Sequence, residues 1–170
     1  MTFLVPFDGS ELSTAALDRA GEYGAKLEAD VTVVSVIPNG PEYAREKGWI
    51  QPDEPFAYEA VVEELRSRVA SLAPDATFRP VRVDRYARTG SIVLRIRRVA
   101  GEIDAAVVFI GSENAGRIVT SVSSVGGGVT TELSYDVHIV RRAVPPKIPT
   151  LSPDERPNRS DGIERPIDGE

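Results

Sequence analysis

Residues 3–20 read FLVPFDGSELSTAALDRA, and residues 29–38 follow as ADVTVVSVIP. This passage holds two short apolar runs, 3–7 and 31–37, which are rich in β-branched residues and nearly continuous rather than alternating. Strands covered on both faces of a parallel sheet read this way, because neither face has to meet water. Between the runs, Leu12, Ala16, Ala20, Tyr23 and Leu27 recur at steps of three and four, the spacing of one helix face. Asp8-Gly9 forms a turn ahead of them, and Ser10 stands where an N-cap is wanted. The passage is therefore a strand–helix–strand unit.

The same alternation continues along the chain. Residues 105–110 (AAVVFI) and 137–140 (VHIV) are further short apolar runs, and a less apolar strand is expected around 78–86. Val61, Leu65, Val69 and Leu72 repeat at helical spacing, as do Ile92, Ile96, Val99 and Ile103. A fourth helix is expected between the last two strands. Strict alternation of this kind requires right-handed crossovers and predicts a single-domain α/β fold. Its core is an open, doubly wound parallel sheet of five strands with helices on both faces.

Two stretches depart from the pattern. Residues 38–55 (PNGPEYAREKGWIQPDEP) form a long connection carrying the only tryptophan, Trp49. It reads either as a surface insertion held by one anchoring aromatic or as a lid over a ligand site. In residues 143–170 proline and charge replace large apolar side chains, and six of the 13 prolines lie from Pro145 to Pro166. Such a segment buries too little surface to offset its ordering entropy, so a disordered tail is expected after a domain spanning 1–142.

Composition removes several classes of function. Twenty basic residues against 26 acidic give a net charge of -6, without the basic face that nucleic acid demands. The absence of cysteine rules out disulfides, thiol catalysis and cysteine metal sites, and one histidine, His138, cannot build a histidine cluster. No apolar run approaches the roughly 20 residues of a membrane helix. The amino terminus enters a strand pattern directly, so a cytoplasmic location without membrane contact is expected.

In an open α/β sheet, ligands bind beyond the carboxyl ends of the strands where the strand order reverses. Three loops qualify. Asp8, leaving the first strand, can accept hydrogen bonds from a ribose or base, hold a metal with a nucleotide, or simply shape an Asx turn into the first helix. Residues 111–116 (GSENAG) put glycines at a helix start, where exposed N–H groups suit phosphate. Residues 121–128 (SVSSVGGG) are small enough for close approach to a ligand.

Taken together, FLVPFDGSELSTAALDRA, ADVTVVSVIP, the turn at Thr89-Gly90, DAAVVFIGS, the glycine/serine segment and the closing VHIVR strand resemble the universal stress protein family over about residues 2–142. The resemblance implies strand order 3-2-1-4-5 and a homodimer formed through the last strand, about residues 137–142. An edge so apolar otherwise invites aggregation. His138 then falls on that strand as an interface or packing residue. The nucleotide-binding branch of the family carries glycine, two residues, glycine, nine residues, glycine and then Ser or Thr. Gly111 matches the first position and Asn114 replaces the second glycine; with a one-residue deletion near Asn114–Gly116, Ser123 replaces the third. Ser124 and Val125 match the positions after the third glycine.

By this resemblance Pro6, Asp8 and Val36 border the base and ribose, while Gly111, Ser112, Ser123, Ser124 and Val125 border the phosphates. The implied ligand is ATP or AMP, with Mg or Mn accompanying ATP. No general-base pair, nucleophile–base pair or metal cluster stands out, so no catalytic residue is assigned and a regulatory binding protein rather than an enzyme is expected. The alternative is a dimerisation or partner-binding module of the same fold that binds no nucleotide.

Overall fold

The computed structural model describes residues 1–113, 135–144 and 147–148. Nine elements follow one another: β1 (Thr2–Pro6), α1 (Glu11–Leu27), β2 (Asp30–Pro38), α2 (Pro41–Glu46), α3 (Tyr58–Leu72), β3 (Thr77–Val83), α4 (Thr89–Glu102), β4 (Ala105–Gly111) and β5 (Asp136–Val140). The strands form one sheet in the order β3-β2-β1-β4-β5, and every pairing is parallel. The expected doubly wound sheet is therefore present. The helix expected between β4 and β5 lies outside the described residues.

Because side chains alternate across a strand, each strand feeds two cores. Phe3 and Val5 of β1, Val33 and Ile37 of β2 and Phe109 of β4 point to one face, against Ala16, Leu17 and Ala20 of α1 and Val61, Leu65 and Val69 of α3. Leu4, Val34, Val36, Val108 and Ile110 point to the other, against Ile96, Val99 and Ala100 of α4. Burial on both faces explains the unbroken apolar runs in the sequence.

Local chemistry sets the helix ends. The Ser10 hydroxyl accepts a hydrogen bond from the Ser13 N–H at 3.2 Å, so the predicted cap is in place. Glu28 turns left-handed (φ 52°) and its N–H returns to Gly24 O, which stops α1. Thr89-Gly90, read as a turn, are instead the first residues of α4, with Arg88 as N-cap. The insertion holds a short helix, α2, begun by Pro41 at its first position.

On β5, His138 stacks on Phe109 (centroids 4.9 Å apart, 25° between planes) and meets the Tyr23 ring edge-on at 5.5 Å. That is the packing role expected of it. Of the tail, the described residues place Lys147 against α1, its ammonium 2.8 Å from Asp18 and 3.3 Å from Glu22. Among the described residues no helix is long and apolar enough to cross a membrane.

Candidate functional site

The chain leaves β1 under tight control. The Phe7 N–H donates to Val34 O at 2.9 Å, and the buried Ser35 hydroxyl donates to Phe7 O at 2.7 Å. Asp8 then accepts the Ser10 N–H on Oδ1 at 3.0 Å, forming the Asx turn that opens α1. Gly9 between them sits at φ +80°, and a Cβ there would lie 2.9 Å from Arg68 Nη1 and 3.7 Å from Trp49 Nε1. The left-handed backbone favours glycine, and a side chain there would also have to push the Arg68 tip aside.

The insertion closes over this turn. Lys47 Nζ lies 2.8 Å from Asp8 Oδ2, and the Trp49 indole N–H donates to Asp8 O at 2.7 Å. Trp49 is only 6% exposed and packs edge-on to Tyr43 at 5.4 Å. Burial alone would raise the Asp8 carboxyl. The Lys47 ammonium and the donors of Ser10 outweigh it and hold the group at about 2. For Lys47, burial pulls downward but the Asp8 carboxylate prevails and raises its pKa. Trp49 is thus the anchoring aromatic, while its neighbours Tyr43, Glu46 and Lys47 wall a cavity.

This cavity, of about 490 Å³, opens at the carboxyl ends of β1 and β2. Pro6, Val34 and Val36 from the strands face Ile92, Val93 and Ile96 of α4 across it. Asp8, Glu46, Lys47, Arg88 and Thr89 supply the polar lining. Its size falls in the range of roughly 300–1,000 Å³ typical of small-molecule sites. An apolar slot with a carboxylate at one wall suits a flat ring carrying hydroxyl or amino donors.

Of the residues assigned from the sequence, Pro6, Asp8 and Val36 come together here. Gly111 ends β4, which pairs with β1, and Ser112 follows it, but neither lines the cavity. Gly111 is instead pressed against α1: a Cβ there would lie 2.7 Å from Leu12 Cβ and 3.2 Å from Leu12 C. Its smallness serves the packing of α1 on β4. Ser123, Ser124 and Val125 lie outside the described residues, as does Asn114.

Sequence reasoning missed Lys47, Arg88, Thr89 and the α4 wall. Ile92 and Ile96 read as core, and part of their helix face is indeed core. Lys47 is one of only three lysines, yet 39 positions separate it from Asp8 and no local spacing joins them. The described residues include no group of three or more His, Cys, Asp or Glu able to hold a metal ion. Asp8, the acid considered for that role, is already paired with Lys47.

Comparison with known proteins gives the lineage. The profile of the universal stress protein family matches residues 1–141. The structure of the universal stress protein from Archaeoglobus fulgidus in complex with dAMP superposes with a TM-score of 0.52 at 19% identity, over 83% of this chain and 98% of that one. A further structure of the Archaeoglobus fulgidus protein gives 0.51 at 18% identity, over 83% and 93%. A universal stress protein in complex with cAMP gives 0.49 at 24% identity, over 83% and 97%. No curated protein matches the chain. The profile spans most of the sequence and the topology agrees strand for strand, and the chain accordingly belongs to the universal stress protein family.

Proposed function

We propose that this chain binds an adenine nucleotide, with the base and ribose in the cavity beside Asp8, and acts through that binding rather than through catalysis. The observation that carries the reading is the cavity at the carboxyl ends of β1 and β2, where Val36 and Ile92 give a ring two apolar walls and Asp8 gives its sugar an acceptor. Two donors, the Ser10 N–H and Lys47 Nζ, already reach Asp8. A carboxylate has about four acceptor sites, so capacity remains for a ribose hydroxyl. The dAMP carried by the Archaeoglobus fulgidus protein of the same fold supports this choice of ligand class.

Asp8 also supports a binding role over a catalytic one. Held at about 2, it is too weak a base to take a proton at neutral pH, where a useful general base titrates near the working pH. The quaternary part of the proposal is a homodimer through β5. That strand ends the sheet, and Ile139 on it is 37% exposed. A second copy of the same strand would cover the open edge.

Thermal unfolding with adenosine, AMP and ATP, each with and without Mg, tests the proposal. A ligand that binds only the folded chain stabilises it by about 2.7 kcal/mol at a hundred times its Kd. A clear rise in Tm with an adenine nucleotide is expected. No rise at millimolar concentration of any of them would sink the nucleotide reading. It would favour the partner-binding module, for which the hold of Lys47 on Asp8 is the supporting observation.

A further inference from the structure

A groove of about 500 Å³ lies at the amino ends of β2 and β3, the end of the sheet away from the cavity. It runs between the later turns of α1 and the end of α3. Asp18, Gly21, Glu22 and Ala25 line it and stand three, four and seven residues apart, so they form one face of α1. Leu72, half-exposed at the end of α3, gives the groove an apolar wall. Asp30 and Asp75 bring its acids to four with Asp18 and Glu22, and no basic residue lines it.

The chain itself supplies a cation there. Lys147, seven residues beyond the end of β5, puts its ammonium 2.8 Å from Asp18 and 3.3 Å from Glu22. Ile148, the next residue, is half-buried. Gly21 is a second sign of an occupant. A glycine inside a helix weakens it relative to alanine, yet a Cβ at Gly21 would meet nothing within 4 Å among the described residues. The bare helix surface that it leaves is room for a guest. The charge pattern of the tail fits the same place. Residues 143–153 (AVPPKIPTLSP) carry Lys147 as their one charge, whereas residues 154–170 carry six acids against three arginines. Carboxylates in the groove attract the first stretch and repel the second.

We propose that this groove seats the chain's own tail, with Lys147 anchored on Asp18 and Glu22. Residues 148–153 lie along the groove with Ile148 and Leu151 as apolar contacts, and the acidic stretch from Asp154 stays outside. The disorder expected from residue 143 onward then begins near 154. Exposed ion pairs are individually weak, so the tail is a strap that exchanges rather than a fixed layer. The groove is remote from the cavity, and the proposal does not depend on nucleotide binding.

Disulfide trapping in the full chain tests it, because the protein has no cysteine of its own. T150C is paired with D75C in the groove or, as a control, with D84C. Asp75 and Asp84 flank β3, whose seven residues hold them roughly 23 Å apart. Three residues beyond Lys147 span about 10 Å, and a bridge needs the two Cα atoms within about 7 Å. Under mild oxidation of dilute protein, the groove pair should close within one chain at least tenfold faster than the control. K147E should slow that closure by roughly three- to tenfold, and adding D18K should restore much of it. G21L should slow it as well, by filling the groove rather than by changing charge. Equal rates for the two pairs, or no effect of K147E or of G21L, would overturn the proposal. Bridging found only between two chains would overturn it too, and would give the groove to the tail of a second copy. Lys147, Asp18, Asp75 and Asp84 are exposed and Gly21 has open space beside it, so the variants should melt with wild type.

Discussion

The ends of β1 and β4 lie side by side in the sheet, and each leads into a turn containing glycine, yet they are built for different ends. After β1, Asp8-Gly9-Ser10 is gripped by three distant groups, Lys47, Trp49 and Ser35 acting through Phe7, and its carboxylate faces a cavity. After β4, Gly111 is filled in by Leu12 and is not among the residues that line that cavity. A glycine after a strand thus says only that something approaches closely. At β4 that something is the protein's own helix.

Four substitutions sharpen this contrast. The largest effect is expected from Trp49→Ala, which empties a nearly buried indole site and frees the wall of the cavity. It should cost about 3–5 kcal/mol in urea unfolding, and a loss below about 1 kcal/mol would mean the insertion does not brace the β1 turn. Gly111→Ala forces a methyl into Leu12 and should cost about 1–3 kcal/mol. Ligand binding in the cavity should survive it, and a selective loss of binding without destabilisation would reverse the assignment of Gly111.

Lys47→Met should cost about 1 kcal/mol, discounted because both partners of the pair touch solvent. Its pH signature is specific. The Asp8 pKa is depressed from 3.8 to about 2, so the unfolded chain binds more protons between those values. The stabilisation is complete above about pH 4 and is lost as pH falls through 2. The variant should flatten that acid limb of the stability profile; an unaltered limb would detach Lys47 from Asp8.

The smallest effect belongs to the β4–β5 side. Burial, and then the Arg19 charge, lower the His138 pKa, so the folded state resists protonation. Its contribution is complete above the ordinary histidine pKa of 6.5 and declines as pH drops below it. His138→Phe should remove that decline while keeping the stack on Phe109. A slope between pH 7 and 5 that is the same in both proteins would count against it.

Much of the fold was legible because a parallel sheet buried on both faces leaves continuous apolar runs such as 31–37 and 105–110, and because Ser10 and the spacing of α1 mark a helix start. Strand order was not in the periodicity; it came from the likeness of the ordered set of segments to a known family. β3, with Arg79 and Arg82 in it, was the least distinct strand because it lies at the sheet edge. At the site, Asp8 was legible from its place beyond the first strand, while Pro6 and Val36 came from the family resemblance. Lys47 and Arg88 were not, since they reach the cavity through tertiary packing of an insertion and a helix start. The contact of Gly111 with Leu12 was hidden for a physical reason: sequence shows that a residue is small but not what stands beside it.

The indole of Trp49 has one further consequence. It is the only such chromophore in the chain, and its N–H is bonded to the backbone of the residue that walls the cavity. Releasing the insertion from Asp8 breaks that bond and changes the polarity around the ring. Its emission wavelength is therefore a built-in optical gauge of the β1 turn, readable in dilute solution without attaching a dye.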